Sequence, residues 1–258
     1  MTLFSARARR HPAAFWLVAA LAVSSWAQEA KPITPVCRSA QGWARSPAPA
    51  ITHRYSVQGL ARTLPYTAQA VMTWQTGPAQ SYVLSHDVRA FLGLGRRQVS
   101  EGTWSTSGLA PRQFNESGSR QQNLTVDASR GTVKLPEAPT DQPLLPGSQD
   151  KLSAWAQLGW WIACAPTLFE SPARIGLPVW GAGETEAWQI LSLGRVKLDT
   201  PYGERTAVHV VRPAGQGGDA RIELWYVPEW GVLPVRLRVE QANGDRADQG
   251  LSERQPSP

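Results

Sequence analysis

The chain has 258 residues, 42% of them hydrophobic, with 26 basic and 20 acidic side chains. Lysine is confined to Lys31, Lys134, Lys151 and Lys197 and the arginines are scattered, so no basic run tracks phosphates and nucleic acid is excluded as an expected partner. No stretch approaches 18 consecutive apolar residues, there is no CxxC, and the histidines and carboxylates lack ligand spacing, so neither a spanning helix nor a metal or cofactor is expected.

Residues 1–27 carry the pattern of a secretory signal. Arg7, Arg9 and Arg10 give a positive start, and Phe15 to Val23 forms an apolar core too short to cross a bilayer. Small residues at Ser25 and Ala27 place cleavage after Ala27; the alternative is an uncleaved anchor. Cleavage removes three arginines and no acids, leaving 23 basic against 20 acidic residues. The mature chain is therefore expected to be exported and only mildly basic. Residues 28–51 are rich in Pro and Ala and form a lead-in.

The fold proper is expected over 52–252, with a disordered tail at 253–258. Residues 53–62 alternate, with Tyr55 and Val57 on one face. Residues 66–75 alternate more regularly, with Tyr66, Ala68, Ala70, Met72 and Trp74 in one phase, as in a half-buried strand. Further strands are expected at 80–92 and 97–106. Gly108 to Glu116 reads as a strand-linking turn, or as a cavity rim on which Arg112 meets a head group. Strands near 120–128 and 131–135 follow, then a proline-rich crossing from Pro136 to Gly147.

About 149–163 stands the one long helical pattern. Leu152, Trp155, Ala156, Gly159, Ile162 and Ala163 share a face. Ser148 is a candidate N-cap with Asp150 in the first turn, Gln149-Asp150 reads as a helix cap in preference to a polar site, and Pro166 blocks continuation. Leu158 and Trp161 sit on the opposite face, so the helix should be covered on more than one side. Ile175 to Trp180 is apolar but broken by Pro178. Strands then follow at 185–193, 195–199, 205–213, 220–227 and 232–241. The reading is mainly β: a single curved antiparallel sheet, or open half-barrel, of about ten or eleven strands cupping one long helix.

Cys37 and Cys164 are the only cysteines. In an oxidising compartment they could pair, closing a long loop at roughly 4–5 kcal/mol in the chain-entropy model. The alternative is two separate thiols.

In order along the chain come Tyr55-x-Val57-x-Gly59-Leu60, then Gly108-Leu109-x-Pro111-x-x-Phe114-x-Glu116 and Gly147-x-Gln149-Asp150-x-Leu152-Ser153. Thr200-Pro201-x-Gly203, Glu223-x-Trp225 and Leu233-Pro234-Val235-Arg236 complete the set. This ordered set, over about 52–252, resembles the periplasmic domain-of-unknown-function 3108 family of Gram-negative bacteria. That family is similar in fold to the LolA/LolB lipoprotein carriers, in which an open half-barrel is closed by a helix. The resemblance implies an architecture and a compartment but no reaction.

Tryptophan is abundant, at 12 residues. Trp74, Trp104, Phe114, Trp155, Trp161, Trp188 and Trp225 are candidates to line an apolar pocket; the competing reading is that they fill the space between sheet and helix. Arg112 and Arg236 are candidates for an anionic head group. Ser148-x-x-Lys151 has the spacing of serine acylating enzymes but lacks their companion motifs, and there is no GxSxG. The expectation is a non-enzymatic protein that binds a lipid or a lipoprotein acyl chain. Behind it stand an assembly module acting through envelope proteins with a self-filled cavity, and then a hydrolase.

Overall fold

The computed structural model describes residues 50–256 apart from 91–94, 106, 119–120, 171 and 216–219. All of them belong to one compact unit, Lys31–Pro258. The expected signal at 1–27 and nearly all of the lead-in lie outside the described residues.

Alternating sequence becomes strand throughout. The strands are β1 (Ile51–Ala61), β2 (Leu64–Gly77), β3 (Ser81–Ala90), β4 (Gly95–Ser105), β5 (Gly108–Gly118), β6 (Gln122–Asp127), β7 (Thr132–Lys134) and β8 (Gln142–Pro143). After the single helix α1 (Ser153–Cys164) come β9 (Ala173–Trp180), β10 (Thr185–Thr200), β11 (Gly203–Arg212), β12 (Arg221–Tyr226), β13 (Arg236–Glu240) and β14 (Arg246–Pro256). They form one antiparallel sheet in the order β8-β7-β6-β5-β4-β3-β2-β1-β14-β13-β12-β11-β10-β9. The sheet is open. The crossing between its edges bridges the gap: the Glu137 amide donates to the Ala182 carbonyl, and Gln149 pairs with β9 in a parallel bridge to Val179. This is the expected half-barrel, with 14 strands rather than ten or eleven.

The additional strands come from residues whose composition argued against a ladder. Gly108–Glu116 is a strand, not a turn. Glu101 pairs with Gln113 and Gly102 with Pro111, so Arg112 is the extra residue of a bulge, and β6 pairs only from Gln113 onward. Proline is tolerated where no ladder donor is needed. Pro178 sits in edge strand β9 for the same reason, and its carbonyl accepts the Gln149 amide. The two strands expected between 185 and 199 are one, bulged between Ser192 and Arg195. Of the tail expected to be loose, 253–256 are the end of β14, which pairs with β1 from Leu60↔Arg246 to Ile51↔Pro256, and 257–258 lie outside the described residues. Its side chains are mostly exposed there, so the backbone ladder holds it rather than apolar burial.

Helix α1 lies inside the sheet, with every residue from Ser153 to Ile162 buried. Asp150, not Ser148, caps it. Asp150 Oδ1 accepts the Leu152 and Ser153 amides at 2.8 and 2.7 Å, and the Asp150 amide donates to Ser153 Oγ at 3.0 Å. The exchange is a capping box. Ser148 Oγ instead accepts the indole N–H of Trp180. Two glutamines clamp the helix to β5: the Leu109 amide donates to Gln157 Oε1 at 2.7 Å, and Gln149 Nε2 donates to the Leu109 carbonyl at 2.8 Å. Gly108, at φ +111°, leaves the room that Gln157 occupies. On the other side the Tyr226 hydroxyl donates to the Trp155 carbonyl at 2.8 Å. Trp160 and Trp161 can therefore both be buried, because the helix is covered on two sides. Cys164, half-buried at its end, is not a free thiol; Cys37 lies outside the described residues.

Gly159 marks the tightest approach. A Cβ there would sit 2.2 Å from the Val232 carbonyl oxygen. Gly159→Ala should raise helix propensity by roughly 0.5–1 kcal/mol, but overpacking against backbone costs about 1–3 kcal/mol, so the net change is destabilising. A urea midpoint at or above that of the parent would contradict this packing.

Candidate functional site

Alternation decides which side chains face the interior. Along β3, Tyr82, Leu84, His86 and Val88 share the inward phase; along β4, Arg96, Gln98 and Ser100 do. Towards the middle of the barrel these positions are filled by α1. At the end where α1 begins they are not, and a cavity of about 540 Å³ remains. Val88, Trp155, Ile222, Leu237 and Val239 give it an apolar floor.

Its walls are polar. On one side Arg96 makes a two-point ion pair with Glu116, Nε to Oε1 and Nη2 to Oε2 both at 2.9 Å, and Gln98 Nε2 donates to Glu116 Oε2 at 3.0 Å. On the other side the Arg212 guanidinium stands 4.4 Å over the Trp188 ring, Trp188 Nε1 donates to Glu186 Oε2 at 2.8 Å, and Arg212 lies 3.6 Å from that carboxylate. His86 packs edge-on against Trp155 with ring centroids 5.7 Å apart, and its Nε2 meets Gln249 Oε1 at 3.0 Å. Complete burial pushes the His86 pKa down to about 4, so the ring is neutral at pH 7. Lys151 completes the rim beside the start of the helix.

The residues singled out from sequence divide into three groups. Trp155 and Trp188 line the cavity. Trp74 (stacked on Tyr82 at 5.2 Å), Phe114 and Trp161 are core, and Trp104 packs against Trp160 at 6.0 Å. These four pack among core side chains and do not line the cavity. Trp225 points out of the barrel, because Ile222, Leu224 and Tyr226 take the inward phase of β12. It is covered by His209 at 4.2 Å and by Arg236 at 5.1 Å.

Neither head-group candidate reaches the cavity. The bulge leaves Arg112 exposed on the outer face, and Arg236 is held over Trp225 by Asp248 at 2.6 Å. The cations at the mouth are Arg96, Lys151 and Arg212. A signal for two of them stands in the sequence: Arg96 and Arg212 occupy inward phases of otherwise buried strands, where a charged residue needs a partner or a cavity.

One other polar grouping is chemically suggestive. The Tyr82 hydroxyl meets Ser100 Oγ at 3.1 Å, and Ser100 Oγ donates to Asp150 Oδ2 at 2.5 Å. Asp150 is wholly buried, among the described residues no cation lies within ion-pair distance of it, and desolvation raises its pKa. Its oxygens are committed to Ser100 and the helix cap, so the grouping is structural. Among the described residues no cluster of three His, Cys or carboxylate side chains could hold a metal ion, and no helix is long and apolar enough to cross a membrane.

The model of a family described as Protein of unknown function (DUF3108) matches residues 54–249. No curated protein matches the chain.

Proposed function

The chain belongs to the DUF3108 family, and from that premise we propose that it is a non-enzymatic binding protein of the cell envelope, exported to the periplasm. It takes up an amphipathic ligand such as a lipid or a lipoprotein acyl chain. The observation that carries this reading is the cavity left open beside Trp155 after the helix has filled the rest of the barrel. Its floor of Val88, Ile222, Leu237 and Val239 gives an alkyl segment apolar burial at roughly 25 cal/mol per Å². Its charged and glutamine-rich walls suit a polar end and would be left unsatisfied by hydrocarbon alone. The secretory pattern of residues 1–27 and the absence of a free thiol at Cys164 support an oxidising compartment.

Native mass spectrometry after gentle purification from the periplasm is expected to show added mass from lipid. The stripped protein is expected to take up a fluorescent fatty acid, and Val239→Glu, which puts a charge on the floor, should weaken uptake about tenfold or more. A clean apo mass together with no uptake would sink the proposal.

A second reading has its own support. Burial of every residue from Ser153 to Ile162 means that the helix already serves as the barrel's filling. The protein would then act as an assembly module through envelope partners at its surface. A hydrolase is the weakest of the three, because the Ser100–Asp150 contact is buried beyond the reach of substrate and the exposed Ser129–Asp127 contact belongs to a turn in which Asp127 is also held by Arg130.

A further inference from the structure

The cavity mouth carries three cationic side chains, Arg96, Lys151 and Arg212, against two carboxylates, Glu116 and Glu186. The carboxylates are already engaged. Glu116, with 3% of its side chain exposed, holds Arg96. Glu186 accepts from Trp188 and lies against Arg212. Lys151 differs: among the described residues no carboxylate is within ion-pair distance of it and no hydrogen bond reaches it, although it is partly buried at the cavity wall. It sits in the first turn after the Asp150 cap, where the helix dipole disfavours a cation. The capping box pins its backbone, so its Cα is held beside the mouth.

A second donor stands one turn further on. Trp155, 8% exposed, lines the same cavity, and its indole N–H has no hydrogen-bond partner. Residues at i and i+4 lie on one side of a helix. An uncompensated ammonium at the cavity wall calls for an acceptor, as does a buried, unsatisfied N–H on a residue that lines the same cavity.

We infer that the cavity mouth selects an anionic head group, a carboxylate or a phosphate, with Lys151 as its counter-ion and Trp155 as a further hydrogen-bond donor. This rests on the amphipathic-ligand reading and assigns its polar end. Arg96 and Arg212 are offset by the carboxylates in their own walls, so the net positive charge of the mouth is that of Lys151.

The test uses single-chain probes below their micellar concentrations: laurate, dodecyl phosphate, dodecyltrimethylammonium and dodecyl maltoside, followed by calorimetric titration. Laurate or dodecyl phosphate, or both, should bind about tenfold or more tighter than the cationic probe of the same chain length, and the preferred anion separates a carboxylate site from a phosphate site. Lys151→Met, which keeps an apolar stem, should remove most of that preference; Lys151→Arg should restore it. Equal affinity for all four probes, or no effect of Lys151→Met on the anions, overturns the inference and leaves the binding function standing. Failure of every probe to bind a folded protein removes both.

Discussion

Asp150→Ala is expected to cost about 3–5 kcal/mol of folding stability, a large share of what a domain of this size possesses. The substitution deletes the helix N-cap, worth about 1 kcal/mol alone. It also strands the Leu152 and Ser153 amides in a buried site, at about 1–3 kcal/mol for each, and leaves the Ser100 hydroxyl with only Tyr82 as a partner. Some of that sum is recovered, because the wild-type carboxylate is itself buried without a cation and its desolvation raises its pKa. Asp150→Asn keeps an acceptor for the helix amides and a donor that Ser100 can accept, so it should cost only about 1 kcal/mol. Urea unfolding of both variants at pH 7 checks the ranking. An alanine variant within 1 kcal/mol of the parent would mean that the cap does not hold the helix.

The second large effect is acid destabilisation. His53 and His86 are both completely buried, and desolvation depresses each to about 4 from an ordinary value of 6.5. His53 lies against the Pro234 carbonyl, with Nδ1 at 3.2 Å, and near Arg254; His86 faces Gln249, Gln98, Arg96 and Asp87. In both cases the unfolded chain binds the proton more readily than the folded one. Stability from these groups is thus complete above about pH 6.5 and is lost as pH falls towards 4. Linkage puts the loss at about 2–3 kcal/mol per histidine between pH 7 and pH 4.5. Asp150, shifted upward, works in the opposite direction and offsets part of it. The clean measurement is therefore a difference. His86→Gln, which keeps a polar group for Gln249, should lose about 2–3 kcal/mol less than the parent between the two pH values. Identical pH slopes for the two chains would show that His86 titrates normally.

What could be read in advance follows the range of the forces involved. Period-two alternation in Tyr66 to Trp74 marks β2 because its neighbours on both sides share the same local rule. The apolar circumference of 152–163 marks a helix covered all round for the same reason. The ordered motifs around Gly108, Gln149 and Asp150 carried the family. Their meaning needed the structure, where they prove to be the clamp between helix and β5. β5 and β14 lie outside the expected strands because each is held by backbone ladders, to which Gly, Pro and polar side chains give little local signal.

The sequence by itself determined the class of the protein, a β sheet around one buried helix, because hydrophobic periodicity is written in neighbouring residues. Only the tertiary structure decided which tryptophans fill the core and which border the cavity, and that Lys151 stands at the cavity mouth while Arg112 and Arg236 turn away. The physical reason is that a side chain's electrostatic surroundings are set by strands far apart in the chain: Arg96 with Glu116, Arg212 with Glu186, and between them a lysine with neither.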